Sequence, residues 1–223
     1  MNNSPQTPPK KRTFKNLVEF LGLKRSVVAV LAMVILVGMG EKMGERFLPL
    51  YILALGGSNI AIGLLNGMDN LLSALYSFPG GYLSDKLGYK RALLVFNLIS
   101  LVGYGIVLVF PTWQAVIVGA IFFISWTAIS LPATMDLVAT TLPANKRTMG
   151  VSMHSLVRRI PMALGPLVGG TLISIYGEKA GVRYAFMAAF LLGIVALVLQ
   201  QVLIKDTHKT KKAESNPLKL FRF

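Results

Sequence analysis

Cysteine occurs nowhere in the 223 residues, so neither a disulfide framework nor a thiolate metal site contributes to this protein. Charge is scarce as well: 14% of the residues are charged against 54% hydrophobic, and mean hydropathy is +0.62. Soluble domains rarely combine so little charge with so much apolar mass. Phosphate-cradling signatures are also missing. No G-x-x-x-x-G-K-[ST] loop is present, which disfavours ATP as a direct energy source, and "GMGEKMG" (38–44) departs from G-x-G-x-x-G and follows no strand-sized segment. Gly40 and Gly44 read better as close-packing positions. His154 stands alone, and a lone histidine in an apolar segment is more often a cavity or packing residue than a ligand. We therefore expect no enzyme site, no cofactor and no metal.

The charge that is present is lopsided, with a net +14. Nucleic-acid binders concentrate basic groups on folded polar surface, and this chain has little such surface; no nucleic-acid partner is expected. Six apolar segments instead organise the sequence, at about 26–55, 60–83, 92–110, 113–139, 149–176 and 182–204. Each reaches or approaches the ~20 residues a helix needs to cross ~30 Å of hydrocarbon, and backbone in lipid must be helical or closed into a barrel. The predicted fold class is an all-α integral membrane protein with six transmembrane helices. Residues 1–25 and 205–223 are basic tails.

Lys and Arg positions orient these segments. Seventeen lie in the two tails and the 84–91 and 140–148 connectors, and two, Lys179 and Arg183, lie in connectors on the opposite side. The positive-inside rule then predicts a multi-pass cell-membrane protein with both termini cytoplasmic. In the first tail, Phe14, Leu17, Val18 and Leu21 fall at helical spacing. A short interfacial helix fits them, and a disordered basic leader fits equally. No small-residue cleavage site follows, so the tail reads as retained.

The first segment contains Glu41, Lys42, Glu45 and Arg46. If 26–55 were one helix, these four would occupy an arc of about 140° at ~100° per residue. A charge at the centre of a span opposes insertion by ~2.5–3.5 kcal/mol, whereas each Leu, Ile, Val or Phe favours it by only ~0.3–0.6. Such charges need partners or water inside a bundle. The other spans supply candidates: Asn66, Asp69, Asn70, Ser73 and Ser77 share one face of the second, and His154, Arg158, Gly165 and Gly169 share one face of the fifth. The predicted solute or ion path is Glu41, Glu45, Arg46, Asn66, Asp69, Asn70, His154 and Arg158. Packing between helices accounts equally well for Asn66, Ser73 and Ser77. Asp136, one turn from a helix end, reads as a structural ion-pair partner.

The chain also repeats itself. "GGYLSDKLGYK" (80–90) and "GGTLISIYGEK" (169–179) both read G-G-x-L-x-x-x-x-G-x-K, and the same offset of 89 aligns Asp69 with Arg158. Three spans per unit turn the second copy upside down, so two inverted three-helix repeats are expected. That architecture marks secondary transporters with binding sites near the midplane.

"GGYLSDKLGYKR" (80–91) resembles the signature between helices 2 and 3 of the major facilitator superfamily, G-x-L-[AS]-D-[RK]-x-G-x-[RK]-[RK]. The matching residues are Gly81, Leu83, Asp85, Lys86, Gly88, Lys90 and Arg91. "GPLVGG" (165–170) is similar to part of an antiporter-type motif, through Gly165, Pro166, Gly169 and Gly170. "GERFLPLYI", "SLPATM" and "RRIPMALGP" add similarity to bacterial members of uncertain substrate. The resemblance implies ion- or proton-coupled movement of a small solute by alternating access. It also implies that the 80–91 signature gates the cytoplasmic side, with a basic residue near Asp85 paired to Asp136. Tyr89 replaces a usual arginine and Pro161 an expected glycine, which weakens the antiport reading.

Family members have two six-helix halves, and this chain resembles the first. The expectation is half of a major facilitator fold that works with a second six-helix half, from a truncated frame or a separately encoded partner. Self-pairing of identical halves is disfavoured because Asp85 lacks its counterpart here. The alternative is a truncated or decayed membrane scaffold that moves nothing.

Overall fold

A computed structural model describes residues 25–204 apart from Ser125. The Phe14–Leu21 stretch, read as an interfacial helix or a disordered leader, and the tail after 204 lie outside the described residues, as does the Ser77 side chain. All regular structure among the described residues is helical: α1 (Arg25–Glu45), α2 (Leu48–Ala54), α3 (Asn59–Leu87), α4 (Tyr89–Val109), α5 (Trp113–Phe123), α6 (Trp126–Thr141), a single 3₁₀ turn (Ala144–Lys146) and α7 (Arg147–Leu203). Among the described residues, four stretches are long and apolar enough to cross a membrane: Val27–Glu45, Tyr89–Val109, Trp113–Val138 and Ala144–Leu203. The 29-residue α3 is not among them, since Asn66, Asp69, Asn70 and Ser73 interrupt its apolar run.

Helix limits differ from the apolar limits for local reasons. The 26–55 stretch is not one continuous helix. It breaks at Arg46 and Phe47 because Pro49, in the first turn of α2, has no N–H and its ring would clash with the Glu45 carbonyl. The two pieces remain joined, with Phe47 N–H donating to the Gly44 carbonyl at 3.0 Å and Tyr51 N–H to the Phe47 carbonyl at 2.9 Å. Ser58 and Thr112 start α3 and α5 as N-caps, each accepting a hydrogen bond from the backbone N–H three residues on. Between α3 and α4 only Gly88 is non-helical, at φ 80° and ψ 154°. The polar stretch 84–91 is thus two helix ends around one residue rather than a loop.

The long α7 is two arms. Gly177 leaves the helical conformation at φ 79° and ψ 172°. A methyl group on Gly181 would come within 2.5 Å of the Ile173 Cα, and the Tyr176 and Tyr184 rings are 4.8 Å apart. Residues eight apart on a straight helix would be separated by ~12 Å. Arms 147–176 and 178–203 therefore fold back on each other around Gly177.

α1 lies between these arms. Along it, Gly38 meets Pro161, Lys42 meets Gly165 and Phe47 meets Gly169, so the first arm runs parallel to α1. Gly40 meets Ala189 and Gly44 meets Phe186, so the second arm runs antiparallel. Two hydrophobic clusters flank this contact. One gathers Val30, Val34, Phe96, Trp126 and Leu137; the other gathers Tyr51, Tyr104, Phe123 and Phe186. The charged stretch of α1 sits at the level between them.

Candidate functional site

Glu41 points inward and is 2% exposed. An unpartnered carboxylate at such a position would be costly, and the bundle supplies partners. The Thr127 hydroxyl, from α6, donates to Glu41 Oε2 at 2.8 Å, and Lys42 Nζ lies 3.6 Å from Glu41 Oε1. Lys42 also forms an ion pair and hydrogen bond with Glu45, one turn on. Lys42 therefore bridges two carboxylates. On the far side, Arg158 is close enough for its charge to act on Glu41 and on His154.

These groups surround a cavity of about 20 Å³, enough for one water molecule. α1 contributes Glu41 and Lys42, α6 contributes Thr127, Ser130 and Thr134, and the first arm of α7 contributes His154 and Arg158. Val34, Trp126, Pro161 and Met162 make the apolar part of the wall. The Ser130 and Thr134 hydroxyls donate back to carbonyls of their own helix, at 3.5 and 2.9 Å, which leaves their lone pairs free to accept. His154 is buried, and its Nδ1 has no hydrogen-bond partner among the described residues. Donors and acceptors of both signs thus converge on one small cavity.

The glycines and prolines of the first α7 arm bring the charges together. A methyl group at Gly165 would lie 2.6 Å from Lys42 Cβ, and one at Gly169 would lie 2.5 Å from the Met43 carbonyl oxygen. No side chain fits at either point. Gly170 faces Phe47 with ordinary spacing, 3.6 Å, and Pro166 is half-buried beside it.

Several sequence-selected residues lie elsewhere. Glu45 is half-buried and Arg46 exposed. Asp69 is half-buried, accepts a 3.4 Å hydrogen bond from Ser73 and lies within electrostatic range of Lys42. Asn66 and Asn70 are exposed on α3, where the Asn70 amide donates to the Asn66 carbonyl at 2.9 Å.

At the Gly88 end, Asp85, Lys86 and Arg91 are exposed and Lys86 stands 5.8 Å over the Tyr82 ring. Lys90 reaches the Gln201 carbonyl at 3.3 Å. Leu83 packs against the first hydrophobic cluster, and Gly81 has open space around it. The close approach belongs instead to Gly80, where a methyl group would come 2.4 Å from the Ile129 carbonyl oxygen. Asp136 is exposed on α6.

Residue-by-residue reading overlooked the α6 wall. Thr127, Ser130 and Thr134 recur at helical spacing, a signal present in the sequence. Hydroxyls are common in membrane helices as packing groups, so the signal does not stand out unaided.

An all-helical bundle with membrane-length apolar stretches, closed around a buried cluster of charges of both signs, defines the class of integral membrane proteins. The sequence profile of the Major Facilitator Superfamily matches residues 14–221. The chain belongs to that superfamily. It is 30% identical over 153 residues to the uncharacterized MFS-type transporter YfkF of Bacillus subtilis, a match covering 68% of this chain and 38% of that protein. It is 25% identical over 177 residues to the quinolone resistance protein NorA of Staphylococcus aureus, covering 79% of this chain and 44% of that one. The matched region thus spans less than half the length of these relatives.

Proposed function

We propose that this chain acts as the N-terminal six-span half of a secondary active transporter, and that Glu41 is its proton-carrying group. The half consists of two inverted three-helix repeats, with both termini cytoplasmic. It pairs with a second six-helix half and moves a small solute across the cell membrane by alternating access.

The observation that carries this reading is the meeting of Glu41, Lys42, Thr127, His154 and Arg158 at one cavity between α1, α6 and α7. A buried carboxylate held by a hydroxyl on one oxygen and an ammonium on the other has two stable arrangements. Ionised, it attracts Lys42. Protonated, it leaves Lys42 paired with Glu45 alone and no longer offsets the Arg158 charge across the cavity, so Arg158 can attract a solute acceptor. Proton arrival therefore changes what the cavity can bind, the differential interaction that alternating access needs. Asp69, Asn66 and Asn70 on α3 extend the path towards the second half. The Gly81–Arg91 segment, with Asp136, forms the cytoplasmic gate.

The inverted-repeat reading draws support from matched positions. Gly88 and Gly177 share one backbone conformation, and Gly80 and Gly169 each meet a neighbouring backbone carbonyl, on α6 and α1 respectively.

Solute uptake into proteoliposomes under an imposed proton gradient tests the proposal, with the chain reconstituted alone and with a co-expressed second half. A quinolone is the first probe solute because a relative is named for quinolone resistance. Proton-driven flux is expected only with the second half, and Glu41→Gln should reduce it to background while leaving membrane insertion intact. Background flux with every second half and solute tried would favour the non-transporting scaffold instead. Normal proton-driven flux in Glu41→Gln would remove Glu41 from the coupling role.

A further inference from the structure

A second cavity, about 460 Å³, opens at the end of the bundle opposite Gly88. It lies between Tyr51 and Leu55 near the end of α2, the 110–112 turn, and Lys179, Arg183, Tyr184 and Met187 of the second α7 arm. It shares no residue with the Glu41 cavity. Between the two stand the buried rings of Tyr51, Phe186, Tyr104 and Phe123, with neighbouring centroids 4.8–6.1 Å apart. It is therefore not an open mouth of the solute path.

Its chemistry is amphiphilic. Lys179, in the last connector, and Arg183, at the start of the sixth apolar segment, both line the one cavity. Neither forms an ion pair among the described residues, and the adjacent Glu178 does not line the cavity. Arg183 is held by a 3.4 Å hydrogen bond from Nη2 to the Leu108 carbonyl, which leaves most of its donors unused. Below the charges the wall turns apolar and continues along the outside of α7. Met187, Leu191, Ile194, Val198 and Val202 are all exposed on that arm. They follow one helical face for ~22 Å at 1.5 Å per residue, the scale of an acyl chain. Tyr176 and Tyr184, edge to face, flank the charged end as tyrosines do at a membrane interface.

We propose that this cavity binds an anionic phospholipid from the leaflet at that end of the bundle. Lys179 and Arg183 hold the phosphate, and the α7 face carries one acyl chain. The volume fits a glycerophosphate headgroup, and an ammonium and a guanidinium side by side are the groups that pair with a phosphate. The proposal rests on the membrane reading above but not on transport.

The test uses the full chain extracted from membranes into detergent, with retained lipid counted by native mass spectrometry. Phosphatidylglycerol is titrated against phosphatidylcholine. The wild type should retain the anionic lipid about tenfold more strongly or better. Lys179→Ala combined with Arg183→Ala should bring the two lipids to near parity, whereas Lys86→Ala at the other end should not. Met187→Trp fills the cavity from an exposed position with the charges intact, and it should also lose the preference. Equal retention of both lipids by the wild type, or an undiminished preference in the double variant, overturns the proposal. Full displacement by inorganic phosphate at matched concentration would make this a free-anion site and overturn the lipid. A chain that never enters the membrane fraction sinks the functional reading itself, a different result from a membrane protein without lipid preference.

Discussion

Asn97 and Gln200, 103 positions apart in the chain, meet inside the bundle with the Asn97 amide donating to Gln200 Oε1 at 2.6 Å. Each has a second strong partner. Trp126 Nε1 donates to Asn97 Oδ1 at 2.8 Å, and Gln200 Nε2 donates to the Lys90 carbonyl at 2.8 Å. Both side chains are buried, so their exchange of hydrogen bonds has no water to fall back on. The network joins α4, α6 and the second arm of α7. It also holds Trp126, which forms part of the wall near Glu41.

Replacing either amide strands its partners in an apolar interior. Asn97→Leu and Gln200→Leu should each cost about 1–3 kcal/mol of stability. The double variant should cost clearly less than the sum of the two, since the shared bond is lost once. Thermal unfolding of the purified chain in detergent, run as a double-mutant cycle, measures this. Strict additivity would mean that the 2.6 Å contact contributes nothing.

Neighbouring glycines of the first α7 arm should respond very differently to substitution. Gly169→Val forces a side chain against the Met43 carbonyl and the Phe47 ring, so α1 and α7 must separate. Overpacking of this kind costs about 1–3 kcal/mol or more. Gly170→Ala places its methyl 3.6 Å from Phe47, an ordinary contact, and should be tolerated. Detergent-extractable yield and thermal midpoint of the two variants, compared side by side, check the contrast.

The turn glycines make a third case, governed by backbone rather than space. Nothing lies within 4 Å of a methyl group added at Gly177, yet its φ of 79° with ψ of 172° is a region that only glycine occupies comfortably. Gly177→Ala should destabilise by about 1–3 kcal/mol, and Gly88→Ala by a similar amount, because its conformation is nearly the same. Gly63→Ala is the control. Gly63 is helical with open surroundings, so alanine there should stabilise by about 0.5–1 kcal/mol. Unfolding midpoints that fall for all three alike would show that the positive φ is not what matters.

Some of this arrangement was visible residue by residue. The superfamily follows from the 80–91 signature, and the need for buried partners follows from four charges in the first apolar stretch. The close-packing role read for Gly40 and Gly44 agrees with their contacts to Ala189 and Phe186. The break after Glu45 was less obvious, although Pro49 announces it once the Glu45 carbonyl is considered. Thr127 escaped notice because its hydroxyl gains meaning only beside Glu41, 86 positions away.

By itself the sequence determined what depends on one dimension. Apolar length sets which segments suit lipid, the spread of Lys and Arg biases their direction, and glycine and proline mark where a helix must bend. Tertiary structure alone decided which polar groups are shared. α1 lies between the arms of α7, so Lys42 abuts Gly165 while Gly40 abuts Ala189, and that wedge turns Glu41 towards Thr127 and Arg158. The physical reason is that a helix in an apolar medium carries no hydrophobic gradient to orient it. Close contact and hydrogen-bond completion then choose the facing side, and both require the neighbour to be in place.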